Sequence, residues 1–417
     1  MRRPRTVLLC IAGLVAATVP AGAAAGPAVA LGAPRACVAS PGPAEGRAKE
    51  VVAVAERARR DFGLNSVVLR VSSDGKEVVT SALGESMTGV PADPAMHFRS
   101  GSVAIAYMAT VLLQLVDEGK AGLDDPLARW LPDAPHASKI TLRMLGSSTS
   151  GLHDYVTDPK FLADLEAAPF RQWTPAEVIA IAADQPLWYE PGTNFSYSHA
   201  NFQLLGAALE KISGVPLERL LDERVMRPLG LGETAAGATA EIPVPVLHAF
   251  TSERGTYEES TYWNPSWTTA PGAVLTTDIC DLDRSSRAIG TGELLSAASF
   301  RTLLDPGTAE LGGPTAGCPA TVCLPHDAAE HFGLGVLVLN GWILQNPSFS
   351  GYAAMQAYLP AEKLSISVTT TKGPKSPEGN QAQTVAQRIA AALVPEHPLT
   401  PTRLRASVPP SPSPTAR

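Results

Sequence analysis

The chain has 417 residues, 45% apolar and 18% charged, which excludes a disordered or fibrous protein and is enough for a sizeable core. A formal charge of −7 excludes a phosphate-neutralising surface, so no nucleic-acid partner is expected. The chain begins with Arg2, Arg3 and Arg5 ahead of an apolar run from Val7 to Val19. Small residues at Ala23-Ala24-Ala25 and Ala28-Val29-Ala30 then offer cleavage sites, so residues 1–30 read as a secretory signal peptide. The run is too short to span a bilayer and no other stretch is long enough. The mature protein is therefore expected outside the cell, on the cell-wall side, without an integral membrane segment. Losing three arginines and no acid takes the charge to about −10.

Residues 31–45 are rich in Ala, Gly and Pro and read as a linker to a main domain over 46–395. Helical spacing runs from Ala44 to Phe62 and stops at Gly63. Ser66–Val71 and Glu77–Ala82 are β-rich, and Asp74-Gly75 between them marks a hairpin. From Ser102 to about Lys120 the spacing predicts a helix that is apolar almost all round, hence central and buried, ending at Gly119. Pro175–Ala183 and Asn201–Ser213 are the clearest helices of the middle. Strands return at Gly335–Leu339, Gly351–Leu359 and Leu364–Thr370, and Gln381–Val394 closes as a helix. Strands at both ends predict one antiparallel sheet flanked by helices, an α/β (α+β) fold class with a helical subdomain inserted over about 105–260. The tail, 396–417, is rich in Pro, Ser and Thr and is expected to be disordered.

Once Cys10 leaves with the signal, Cys37, Cys280, Cys318 and Cys323 remain, and an exported chain favours disulfides. Cys318 and Cys323 lie close together in a Gly/Pro-rich loop and are expected to pair, leaving Cys37 for Cys280. The alternative is zinc held by Cys318, Cys323, His326 and His331. An oxidising compartment favours the disulfide, so no metal is expected.

Ser102 follows Phe98-Arg99-Ser100-Gly101 and opens the buried helix. By local sequence alone it is an N-cap; its functional reading is a nucleophile at a helix N-terminus. The wider context carries more. The blocks FRSGSVAIAYMATVLLQLVDEGKAGLDDPLARWLP (98–132), Ser150-Gly151-Leu152 with Tyr155, PGTNFSYSHANFQLLG (191–206), 271–277 with Asp281-Leu282, Phe332-Gly333-Leu334-Gly335 and GYAAMQAYLP (351–360) occur in order. Together they resemble the serine β-lactamase and D-Ala-D-Ala carboxypeptidase family, its penicillin-binding-protein-like, class C-like members above all, over about residues 45–395. The resemblance implies a β-lactamase/transpeptidase-like fold, no cofactor, and an acyl-enzyme made on the serine of an SxxK motif, whose lysine takes the serine proton.

Against that pattern the motifs are altered. Ile105 stands at the lysine position. The Tyr-x-Asn motif reads Tyr197-Ser198-His199. The third motif falls on Gln345-Asn346-Pro347, where Pro347 removes a donor and bends the strand edge. Ser148 stands where a histidine is usual, and Leu337 where related carboxypeptidases place an arginine for the substrate's terminal carboxylate. Ser102, Tyr197 and a cleft-associated Trp267 are kept. His199 is a candidate substitute base, while His153, Asp154 and His248 are rim positions. Two functions are consistent with this. The first is a non-acylating pseudoenzyme that binds peptide-like or acyl ligands such as peptidoglycan stem peptides. The second is an active hydrolase or acyltransferase using Ser102 and Tyr197 with His199.

Overall fold

The computed structural model describes residues 36–401. The expected signal peptide and most of the tail lie outside the described residues. The helix predicted from Ala44 forms as α1 (Gly46–Asp61), and Gly63 follows it with φ +57°. The predicted hairpin forms as β1 (Ser66–Ser73) and β2 (Lys76–Met87), with Asp74 and Gly75 both at positive φ. The last third of the chain adds β4 (Glu330–Phe332), β5 (Leu337–Leu339), β6 (Trp342–Gln345), β7 (Ser348–Phe349), β8 (Tyr352–Leu359) and β9 (Leu364–Thr371). With β3 (Val90–Pro91), the order is β3-β2-β1-β9-β8-β6-β5-β4, and β7 pairs with β8 off this path. Every pairing within it is antiparallel. Strands from both ends of the chain thus share one sheet through the β1–β9 pairing, in which Val67 faces Thr370 and Leu69 faces Val368.

Alternation along the strands divides the interior in two. Val67, Leu69, Val71, Ile366 and Val368 meet α1 and the closing helix, named α5 below, in one cluster. Val68, Tyr352 and Ala354 face the second and larger cluster. At its centre lies α2 (Val103–Asp117), whose residues from Val103 to Val111 are all buried. An all-round apolar helix has no solvated face, and the fold surrounds it accordingly. Around it pack α3 (His199–Ser213) and α4 (Ile279–Thr291), the latter absent from the sequence reading; α5 is Gln381–Leu393. The inserted region is mainly helical and also holds the short strands Ala235–Gly237, Phe250–Thr251 and Glu258–Glu259.

Both expected disulfides are present, Cys37–Cys280 and Cys318–Cys323. The zinc alternative is thereby corrected, because the two cysteine sulfurs it needs are bonded to each other. His326 and His331 instead hydrogen-bond backbone carbonyls of Thr308, Asp327 and Leu304. The segment read as linker is anchored where described: Cys37 is buried and the Ser40 amide bonds the Thr80 carbonyl. Past Pro395 the packed body continues as far as Leu399, which is buried, while Asn340 donates to the carbonyls of Pro398 and Thr400.

Candidate active-site cleft

Ser102 occupies the N-cap position of α2, yet its side chain makes no capping bond. Its hydroxyl lies beside the Tyr197 phenol instead. The preceding Gly101 has φ +44°, and a Cβ there would stand 2.7 Å from Pro347 Cβ and 2.8 Å from Phe349 Cε1. Only glycine lets that turn and the Pro347–Phe349 segment approach this closely.

Ile105 lies one turn into α2 on the same side as Ser102 and is fully buried. Gly335 crosses α2 here, and a Cβ on it would stand 2.7 Å from the Ile105 carbonyl and 2.6 Å from Ala109 Cβ. An apolar side chain thus stands one turn along from Ser102, packed into the core.

Tyr197 and His199 lie at the N-terminus of α3, with the Tyr197 phenol beside Ser102. Ser198 between them caps that helix, accepting from the Ala200 amide, and donates to the His153 carbonyl. The loop is bolted down by Ser148. Its hydroxyl donates to the Ser196 carbonyl (2.9 Å) and accepts from the Ser198 amide (3.0 Å) and the Asn201 side chain (2.9 Å). Burial raises the Tyr197 phenol well above its ordinary range and the Asp154 charge raises it further, whereas Ser102 pulls the other way. Tyr197 is thus held as a protonated donor.

His199 packs edge-on against Tyr197 at 5.2 Å between ring centroids. Its Nδ1 lies 3.1 Å from both oxygens of Asp154, one of which also accepts from the His199 backbone amide. Asp154 was only a rim position in the sequence reading; the structure makes it the partner of His199. The two are 45 residues apart and no spacing signals the contact. Trp267 completes this wall, 6.1 Å from His199 and 6.0 Å from Phe349 between centroids, and its carbonyl accepts from the Tyr155 phenol.

The remaining candidate residues have partners of their own. Gln345 ends β6, buried, and donates to the Gly335 carbonyl. Asn346 turns away to the Gln383 side chain. The strand breaks at Asn346-Pro347 and resumes as β7, and Asn380 stitches the break by donating to the carbonyls of Asn346 and Pro347. Leu337 packs between the two core clusters. His153 stacks on Trp188 at 3.8 Å, and His248 pairs with Glu259.

The Beta-lactamase family model matches residues 52–391. Penicillin-binding protein 4 of Amycolatopsis lactamdurans is 31% identical over 48% of this chain and 51% of its own length. Esterase EstB of Burkholderia gladioli is 30% identical over 43% and 49%. The chain spans about half the length of the curated relatives it matches. Among solved structures, a D-stereospecific amidohydrolase from Streptomyces superposes with a TM-score of 0.67 at 24% identity, covering 82% of this chain and 97% of that one. That likeness shows a shared fold.

Proposed function

This chain belongs to the beta-lactamase family, and within it we propose a member that binds a peptide-like or acyl ligand beside Ser102 without forming an acyl-enzyme. The observation that carries this reading is what stands beside the serine. Ile105 fills the base position inside the core, and the nearest remaining candidate, Tyr197, is driven by burial toward its neutral form. A serine hydroxyl ionises far above neutral pH and needs a base that is free at neutral pH. A tyrosine held protonated donates to Ser102 or to a ligand carbonyl rather than accepting a proton. The break at Asn346-Pro347 supports the same reading, since it interrupts the strand edge alongside the serine. The names of relatives, a penicillin-binding protein and an esterase, suggest ligands carrying amide or ester carbonyls. The export expected of the first thirty residues would bring such a ligand from the cell-wall side.

The test is the intact mass of the protein after incubation with a β-lactam and, separately, a fluorophosphonate, with Ser102→Ala in parallel. The expected result is no adduct with either reagent, no nitrocefin hydrolysis and no release of D-alanine. An adduct that disappears in Ser102→Ala would overturn the reading. The Asp154–His199 pair favours a second reading, in which His199 with Nδ1–H held by Asp154 offers its Nε2 lone pair to the Tyr197–Ser102 couple. On that reading the adduct forms, and His199→Ala abolishes it while Asp154→Asn slows it.

A further inference from the structure

The strand Ala235–Gly237 is the edge of a small sheet. It pairs on one side with Val274–Thr277, which pairs in turn with Phe98–Arg99, and no strand follows on its other side among the described residues. The Leu275 carbonyl accepts from the Ser100 amide, so the peptide groups of Leu275 point away from Ala236, its register partner. Ala236 and Leu275 thus form a pair without hydrogen bonds in the antiparallel ladder, and the amide and carbonyl of Ala236 both point outward. Neither has a partner among the described residues.

Ala236 lines a cavity of about 790 Å³, walled by residues 235–243 with Glu218, Tyr262, Val274 and Thr276. A hollow of about 380 Å³ continues it and shares Glu218, Ala235 and Ala236. Among the described residues, the side chains of Glu218 and Glu241 form no ion pair or hydrogen bond. No lysine or arginine lines the larger cavity. Arg99 lies behind it, buried, and donates to the carbonyls of Ala240 and Thr261. Apolar surface stands alongside: Tyr262 is 45% exposed, and Val244, next to the lining Pro243, is 84% exposed.

An open sheet edge accepts an extended backbone. Edges are commonly blocked by lysine, proline or a bulge, and Ala235-Ala236-Gly237 carries none of these. Its side chains are too small to hold an incoming strand away. Charge then selects the occupant. A second copy of this chain, which carries −7 overall, would set Glu218 and Glu241 against the same two acids. A basic segment gives those acids a partner instead. We infer that this edge is a docking groove for an extended, basic segment of another polypeptide. The segment adds as a short strand at Ala236, its cationic side chain is answered by Glu218 and Glu241, and its apolar residues meet Tyr262 and Val244. None of these residues belongs to the Ser102 cleft, so the inference is independent of whether the serine is acylated.

The experiment is calorimetric titration of the whole protein at low salt with acetyl-Thr-Val-Arg-Val-Thr amide and with the same peptide carrying Glu for Arg. The arginine peptide is expected to bind about tenfold more tightly, with a gap that narrows as salt is added. Glu218→Gln combined with Glu241→Gln is expected to bring the ratio toward one; a thermal melt checks that the variant folds. Copies of the arginine peptide N-methylated at one residue each test the backbone pairing. Affinity is expected to fall about tenfold at the one position that faces Ala236. No binding, equal binding of the two peptides, a ratio unchanged in the folded double variant, or indifference to N-methylation at every position would each overturn the inference. So would sedimentation showing a dimer that forms without peptide and is lost on adding the arginine peptide, since that assigns the groove to a second copy.

Discussion

Ser148 shows how much one buried hydroxyl can hold in place. Its hydroxyl uses its one proton on the Ser196 carbonyl and both lone pairs on the Ser198 amide and the Asn201 side chain. All three partners are buried, so none can turn to water instead. Ser148→Ala would leave them without that oxygen, at a cost of about 1–3 kcal/mol. The expected outcome is a lower urea midpoint with an unchanged slope, measured by equilibrium unfolding. Because the same bonds fix the segment carrying Tyr197, ligand affinity should fall with stability. An unchanged midpoint would mean that the loop is held by something other than this hydroxyl.

At the scale of elements, α4 is the informative case. Its N-cap Asp278 is almost wholly buried and accepts from the Asp281 amide at 2.8 Å. Burial pushes the Asp278 carboxyl up to about 6, against the pull of that bond and of His97. In the unfolded chain an aspartate titrates near 3.9. Between those values the folded protein keeps a proton that the unfolded chain releases, so stability falls as pH rises from about 4 to about 6, and the penalty is complete above that window. Asparagine caps a helix as well as aspartate and carries no charge. Asp278→Asn should therefore gain on the wild type across the window, by up to about 3 kcal/mol, and hold a constant advantage above it. Denaturation at pH 4, 5, 6 and 7 checks this; a gap that does not widen between pH 4 and 6 would count against it.

The same helix marks where sequence reading ran out. The predicted helices and strands were legible because each bears a continuous apolar face, as α2 does, or a turn signal, as Asp74-Gly75 does. The buried side of α4 includes Asp283, Ser285 and Ser286, so its inward face does not read as apolar. Asp283 is answered there by Ser72 of β1 at 2.7 Å, a partner 211 residues away. The cleft divides similarly. Ser102 and Tyr197 stand within sequence blocks that resemble motifs, as does the apolar Ile105 one turn after the serine, and Trp267 stands just ahead of such a block. The Asp154–His199 pair and the closure of Phe349 on Gly101 arise from loops meeting in space.

For the whole molecule, the two disulfides do different work. Cys37–Cys280 joins residues 243 apart and ties the start of the described chain to α4, across the sheet's own long-range pairing of β1 with β9. Cys318–Cys323 closes a separation of only 5 within one loop. In the chain-entropy account, a crosslink stabilises by restricting the unfolded ensemble, and more so as the closed loop lengthens. By that measure the long bridge contributes about 5 kcal/mol and the short one about 2 kcal/mol. Removing the first by Cys37→Ala with Cys280→Ala should thus lower the unfolding free energy by clearly more than removing the second by Cys318→Ala with Cys323→Ala. Urea unfolding of both double variants beside the wild type measures the difference. The residues flanking the short bridge touch the segment that leads to Tyr197, since Asn194 donates to the Gly313 carbonyl and Phe195 packs on His326 at 4.1 Å between centroids. Its loss should accordingly disturb ligand binding more than its small stability cost suggests, whereas loss of the long bridge should lower stability and leave affinity in the folded protein unchanged. Equal stability losses from the two pairs would place the effect of the long bridge in local packing around Cys37 rather than in chain closure.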